Sequence, residues 1–292
     1  MQSQKSFDGT AGKGILYLVP TPIGNLEDMT FRAIRIMKES HVIAAEDTRN
    51  TRKLCNYFEI DTPVVSYHEH NKEKSGPHLL ARLAAGEDVA LVSDAGMPCI
   101  SDPGYELASS AIEAGLAVVP LPGANAGLTA LIASGIAPQP FYFYGFLPRG
   151  KKEKKTELES LKRQTGAIIF YEAPHRLKET LRAMLVHWGN RNIVLCRELT
   201  KKYEEFLRGT LEEAVQWAER EEIRGEFCLI VEGSLESVVQ EEAESWWDGM
   251  EIKDHVLHYM ENGGMSSKEA IKLAAKDRDL PKRDVYQAYH VD

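Results

Sequence analysis

Cysteine is scarce in this 292-residue chain, and its placement excludes two architectures. Cys55, Cys99, Cys196 and Cys228 are far apart and form no C-x-x-C pair, so neither a zinc ribbon nor a disulfide framework is expected. All four read as small core residues in a reducing compartment. Long apolar runs are missing as well. None reaches the roughly 18–20 residues that span a bilayer, and MQSQKSFDGTAGKG at the start has no apolar middle of the kind a secretory signal carries. A soluble, cytoplasmic protein with no membrane contact is the expectation. Positive charge is in deficit: 35 Lys and Arg against 44 Asp and Glu leave a net charge of −9. That balance excludes a broad polyanion-binding surface, so any nucleic-acid contact must be a local patch. No repeat at solenoid spacing is visible.

What is present is the rhythm of an α/β protein. The chain is 43% hydrophobic and long enough for two cores of ordinary size and a small appendage. ILYLV (Ile15–Val19), VIAA (Val42–Ala45), VALV (Val89–Val92) and AVVPL (117–121) are apolar without alternation, as strands buried on both faces are. Helical patterns such as 30–39 and 104–114 lie between them, which predicts a parallel sheet with helices on its faces. From Phe141 the rhythm restarts with aromatic strands (FYFYGF, AIIFY, IVLCR, EFLRG, FCLIV) and a hairpin, which predicts a mixed sheet. The prolines at 138 and 140 mark a linker. The division expected is a flexible arm (1–14), a parallel-sheet lobe (15–137), a mixed-sheet lobe (138–235) and a helical tail (236–292). The tail opens with an acidic stretch and Trp246-Trp247 and continues in three short helices over 248–261, 266–276 and 281–289.

Ligands of open parallel sheets bind at the carboxyl ends of the strands. Four such ends carry PTPIGN, EDTRNT, SDAGMPCISDPG and PGANA, clusters of proline, glycine and carboxylate. None contains G-x-G-x-x-G or G-x-x-x-x-G-K-[ST], so dinucleotide and P-loop sites lack their phosphate cradle. A cofactor without phosphates fits better, and S-adenosylmethionine is one. Its amino-acid end, ribose and sulfonium ask for backbone amides, a carboxylate or two, and close backbone approach. Ala95, Gly96, Ala124 and Ala126 allow that approach, and Asp94 can accept from an amine or hydroxyl.

TPIGNL, EDTR, SDAG-x-P-x-x-SDPG, PG-x-x-A, GFLP, FYE-x-PHR, RELTK and GE-x-x-LIVEG occur in this order from Gly14 to about residue 233. The set resembles the bacterial 2′-O-ribose methyltransferases of small-subunit ribosomal RNA, within the tetrapyrrole-methylase superfamily. The resemblance implies a two-lobed α/β subunit with a helix-turn-helix-like tail, a homodimer, and S-adenosylmethionine in the cleft between lobes. It implies a cytidine of 16S ribosomal RNA as acceptor, within the 30S subunit. The superfamily's cofactor loop often reads G-D-P; here Ser93-Asp94-Ala95-Gly96-Met97 keeps the aspartate and not the preceding glycine. By position, Thr21, Pro22, Asn125, Phe170, Tyr171, Cys196 and Glu226 complete the implied cofactor cleft.

Methyl transfer to oxygen is an in-line displacement, so the enzyme aligns the partners and removes a hydroxyl proton. Glu46, Asp47, Glu172, Glu198 and Lys201 at strand ends are the candidates; Glu46 and Asp47 can equally be structural partners of Arg49 or Arg52. His175 is either a base or a hydrogen-bonded structural residue. His68 and His70 lack a second ligand pair, so no metal is expected. RNA contacts are expected from Arg49, Arg52, Arg149, Lys151, Lys152, His175, Arg176 and Lys202, although a charge run is also what a solvated helix face looks like. Two other readings remain: a methyltransferase of this scaffold acting on a tetrapyrrole or a modified protein side chain, and a non-catalytic ribosome-assembly binder.

Overall fold

The computed structural model describes residues 1, 3–6, 12–234, 247, 249–278 and 280–290. The acidic stretch and Trp246 lie outside the described residues, as does part of the expected arm. Within that arm Gln4 is tied down: its side chain pairs with both backbone groups of Val118 at 2.9 and 3.0 Å. The chain divides into two compact units, 1–235 and 236–292.

The first unit is built on two five-stranded sheets. Strands β1 (Ile15–Val19), β2 (Val42–Ala45), β3 (Val64–Ser66), β4 (Val89–Val92) and β5 (Ala117–Pro120) form a parallel sheet in the order β3-β2-β4-β1-β5. Side chains alternate across it, and both sets are covered. Ile43, Ala45, Ala90 and Val92 pack with Ala33, Ile36 and Met37 of α1 (Phe31–Glu39) and Cys55 of α2 (Thr48–Tyr57). Leu16, Ala44, Val89 and Leu91 pack on the other face with α3 (Lys72–Ala84) and α4 (Tyr105–Glu113). Burial on both faces is why these strands read as continuous apolar runs. β3 is a three-residue edge strand and escapes that pattern.

The second sheet holds β6 (Phe141–Phe146), β7 (Ala167–Glu172), β8 (Asn192–Arg197), β9 (Glu205–Thr210) and β10 (Phe227–Val231) in the order β6-β7-β10-β8-β9. β6 and β7 are parallel, and the remaining pairs are antiparallel. One face packs against α6 (Lys151–Leu161), α7 (Pro174–Trp188) and α8 (Leu211–Arg220), and the other against α5 (Ala126–Ser134). Helix α5 leaves the first sheet's last strand yet packs on the second sheet, because Ala130 and Leu131 join Ile169, Val194 and Ile230 in one core. Gly127 permits that contact, since a Cβ there would stand 3.2 Å from Ile169.

The second unit contains α9 (Ile252–Gly263), α10 (Ser267–Asp277) and α11 (Lys282–His290). Val256, Ala270, Ile271, Ala274 and Val285 form its core. Ser266 and Glu269 form a capping box at the start of α10. Among the described residues no helix is long and apolar enough to cross a membrane.

Candidate active site

The carboxyl ends of β1 and β4 and the loop after β5 meet the second sheet across a cavity of about 480 Å³. Its first wall is the SDAG loop, with Asp94, Ala95, Gly96 and Met97, joined by Asn125 and Ala126. Gly96 must be glycine: its φ is +79°, and a Cβ would stand 3.3 Å from Ile23. Two backbone hydrogen bonds of 2.9 Å tie Gly96 to Thr21, and the buried Thr21 hydroxyl donates to the Ser93 carbonyl at 3.1 Å. Thr21 thus locks the loop of β1 onto the loop of β4. Asn125 caps α5 by accepting from the Leu128 N–H at 2.8 Å. The Ala124 carbonyl lies against Gly96, outside the cavity lining.

The opposite wall comes from the ends of β7, β8 and β10. Tyr171 lines it, and its hydroxyl accepts from the Gly127 N–H at 3.1 Å. Burial pushes that phenol up to about 12. Cys196 and Cys228 are register partners on β8 and β10 and both line the cavity. Burial pushes the Cys196 thiol up to about 12 and the Cys228 thiol well above its ordinary value, so both are neutral walls rather than nucleophiles. At the mouth, Lys201 bridges Glu198 (3.1 Å) and Glu226 (2.8 Å). The Glu226 N–H, with Lys201, holds the Glu198 carboxyl below its usual range. Burial works against the charge on Lys201, but the two glutamates outweigh it and its pKa rises. Lys201 is a fixed cation and not a base.

The electrostatic centre is a group of carboxylates on the first wall. Asp94 accepts from the Asp47 N–H at 3.0 Å and from the Asn50 side chain at 3.4 Å. Asp102, in the second half of SDAGMPCISDPG, also lines the cavity. Burial, with Glu46 and Asp94 nearby, pushes its carboxyl up to about 7. Burial and Asp94 likewise raise Glu46. Three carboxyls that burden one another in a half-buried site favour a cation among them.

A family model described as Tetrapyrrole (Corrin/Porphyrin) Methylases matches residues 15–215. The chain is 63% identical over 291 residues to Ribosomal RNA small subunit methyltransferase I of Bacillus subtilis (strain 168), covering 100% of this chain and 99% of that protein. The chain belongs to the tetrapyrrole methylase family. Among solved structures, cobalt precorrin-4 methyltransferase matches with a TM-score of 0.59 at 15% identity, covering 78% of this methylase and 98% of that chain. Uroporphyrin-III C-methyltransferase from Thermus thermophilus, complexed with S-adenosylhomocysteine, matches with a TM-score of 0.55 at 20% identity. It covers 75% of this methylase and 97% of that chain. These two likenesses show the fold.

Several residues expected in the methylase cleft stand elsewhere. Phe170 is 1% exposed and packs with Tyr144 and Trp188 in the core under α6 and α7. Alternation along β7 sends Phe170 and Tyr171 to opposite faces, so only Tyr171 reaches the cavity. Glu172 shares the face of Phe170 but, at the very end of β7, still lines the cavity. Its nearly inaccessible side chain accepts from Thr180 at 2.5 Å and from the Ala173 N–H at 3.0 Å, with Arg176 at 3.5 Å. Arg176 itself donates to the carbonyls of Leu147 (2.7 Å) and Pro148 (3.1 Å). Its guanidinium fastens the GFLP loop rather than facing solvent. Asp47 caps α2 and pairs with Arg49 at 2.7 Å; the Arg49 side chain holds its carboxyl down at about 2, too acidic for a base. Of the basic residues, Arg49, Arg52, Arg149, Lys151, Lys152, His175 and Lys202 are exposed. Lys154, in the same run as Lys151, is buried against Glu179 and Thr180. Thr21 and Pro22 line a second cavity, which shares Asp94 with the first.

Proposed function

We propose that this methylase transfers a methyl group from S-adenosylmethionine to 16S ribosomal RNA of the small subunit, at the 2′-hydroxyl of a cytidine. The observation that carries the reading is the cavity wall where Asp94, Asp102 and the neighbouring Glu46 crowd negative charge beside the close-approach backbone of Ala95 and Gly96. A phosphate-free cation fits that wall, and a nucleotide phosphate is repelled by it. The relative from Bacillus subtilis, named for small-subunit ribosomal RNA, supports the acceptor. So do the exposed basic residues of α2 and of the loop into α6.

In this reading Asp94 and Asp102 hold the cationic end of the cofactor, the Ala95–Met97 backbone faces its adenosine, and Tyr171, Cys196 and Cys228 form the apolar side. Bound S-adenosylmethionine supplies a methyl carbon already activated by its sulfonium. What remains for the protein is alignment and removal of one proton. Glu172 already accepts from Thr180 and the Ala173 N–H, Glu198 is held as a carboxylate below its usual range by the Glu226 N–H and Lys201, Asp47 is too acidic and Lys201 stays protonated. Glu46 is left: its pKa is raised, and it makes no side-chain hydrogen bond among the described residues. It takes the proton of the acceptor hydroxyl. The protein acts in the cytoplasm as a homodimer, for which Leu128 and Ile132, exposed on one face of α5, offer apolar surface; light scattering tests the assembly.

The decisive experiment supplies labelled S-adenosylmethionine with naked 16S RNA, with 30S subunits, or with a tetrapyrrole, and digests the RNA to nucleosides. Label in 2′-O-methylcytidine is expected. Label in no RNA, or in the tetrapyrrole alone, would sink the proposal.

A further inference from the structure

The second cavity, of about 300 Å³, opens beside the first and shares Asp94 with it. We propose that it is the subsite for one unstacked RNA nucleotide at or next to the methylated position. The inference rests on the RNA-methylation reading above and adds where the acceptor sits. One wall is a single face of α2: Asn50, Lys53, Leu54 and Tyr57 recur at helical spacing and all line the cavity. Thr21, Pro22, Gly24 and Leu26 of TPIGNL line it as well.

Each feature matches a demand of a single-stranded base. Tyr57 is 63% exposed, and Phe58 meets it edge-on at 4.9 Å, so an aromatic face is left for stacking. Asn50 carries both a donor and an acceptor, and its bond to Asp94 places it between the two cavities. Lys53, one turn before Tyr57, supplies a cation for a phosphate at the rim, with exposed Arg52 beside it. The size suits one base or nucleoside and is small for a macrocycle, since ligand cavities start at about 300 Å³. Glu46, the base proposed above, directly precedes the N-cap of the same helix.

The test measures kcat/KM for the RNA substrate, and S-adenosylmethionine affinity by calorimetry, in Tyr57→Ala, Tyr57→Phe and Lys53→Ala. Tyr57→Ala should lower kcat/KM for RNA by about five- to a hundredfold, the range seen when a base loses its stacking partner. Tyr57→Phe, which keeps the ring, should retain most of it. Lys53→Ala should lower kcat/KM and flatten its salt dependence. Cofactor affinity should be unchanged in all three, and exposure of both side chains makes misfolding a separable outcome in thermal melts. Wild-type protein that methylates RNA, with both alanine variants equally active, would overturn the subsite alone. Wild-type protein that labels no RNA would overturn the reading beneath it.

Discussion

Asp102→Asn should make the protein more stable and less able to bind its cofactor, and both effects should depend on pH. The carboxyl stands at about 7 in the folded protein against an ordinary value of 3.8, about three pH units higher, because burial, Glu46 and Asp94 oppose its charge. The folded chain therefore holds this proton more tightly than the unfolded chain does. Between pH 4 and 7 only the folded state keeps it, so the site's contribution to stability falls as pH rises through that window and stays low above 7. At 1.36 kcal/mol per unit the ceiling is about 4 kcal/mol. Asp102 is only half-buried, and solvent screening reduces the effect to about 1–2 kcal/mol.

Asparagine removes the charge at nearly constant shape. Urea unfolding should find the variant about 1–2 kcal/mol more stable than wild type at pH 8, with the difference vanishing near pH 4. Calorimetric affinity of the wild type for S-adenosylmethionine should rise with pH up to about 7 and level off beyond it, because the cation draws on the ionised carboxylate. Below that point the fall is at most tenfold per pH unit. A variant that is no more stable at pH 8, or one that binds cofactor as wild type does, would refute the carboxylate wall as the cation's seat.

Three further outcomes follow from the geometry. Phe170→Ala should destabilise the fold by about 3–5 kcal/mol in urea, as core aromatic truncations do, while the folded protein keeps its cofactor affinity. Thr180→Val should cost about 1–3 kcal/mol, because it strips the 2.5 Å donor from the inaccessible Glu172 carboxylate. Gly123→Ala places a Cβ 2.5 Å from the rigid Pro20 ring; overpacking of about 1–3 kcal/mol should appear in melts, with weaker cofactor binding as Asn125 is displaced.

The strands around the site were legible because both faces of the first sheet are buried, which turns sequence into uninterrupted apolar runs with chemistry at their ends. Parity was harder. The run AIIFYE shows that Phe170 and Tyr171 point to opposite sides, yet which side faces the cleft depends on α5 packing on one face and α7 on the other. Asp102 was missed because SDPG reads as turn chemistry; its meaning comes from lying near Glu46 and Asp94, 56 and 8 residues away in sequence. Cys228 looks like any small strand residue until register sets it opposite Cys196. Arg176 and Lys154 carry the opposite lesson. They look like solvated or RNA-facing charges, and the structure uses them to fasten the GFLP loop and the α6–α7 packing. A local charge pattern says nothing of which member of the run turns inward.

The distribution of charge explains how an acidic chain can serve a polyanionic substrate. Carboxylates line the cavity, and the basic residues of α2 and of the loop before α6 stand outside it, so phosphates meet cations while the interior stays negative. Were the signs exchanged, a backbone phosphate would compete with the cofactor for the same wall. The arrangement also bears on turnover. Methyl transfer converts a sulfonium into a neutral thioether, and carboxylates that attract a cation have less hold on a neutral product. The raised pKa of Asp102 sharpens this difference, because without a cation the carboxyl again takes up a proton near neutral pH. In the proposed reading, the wall that gathers the donor therefore weakens its grip once the methyl group has left.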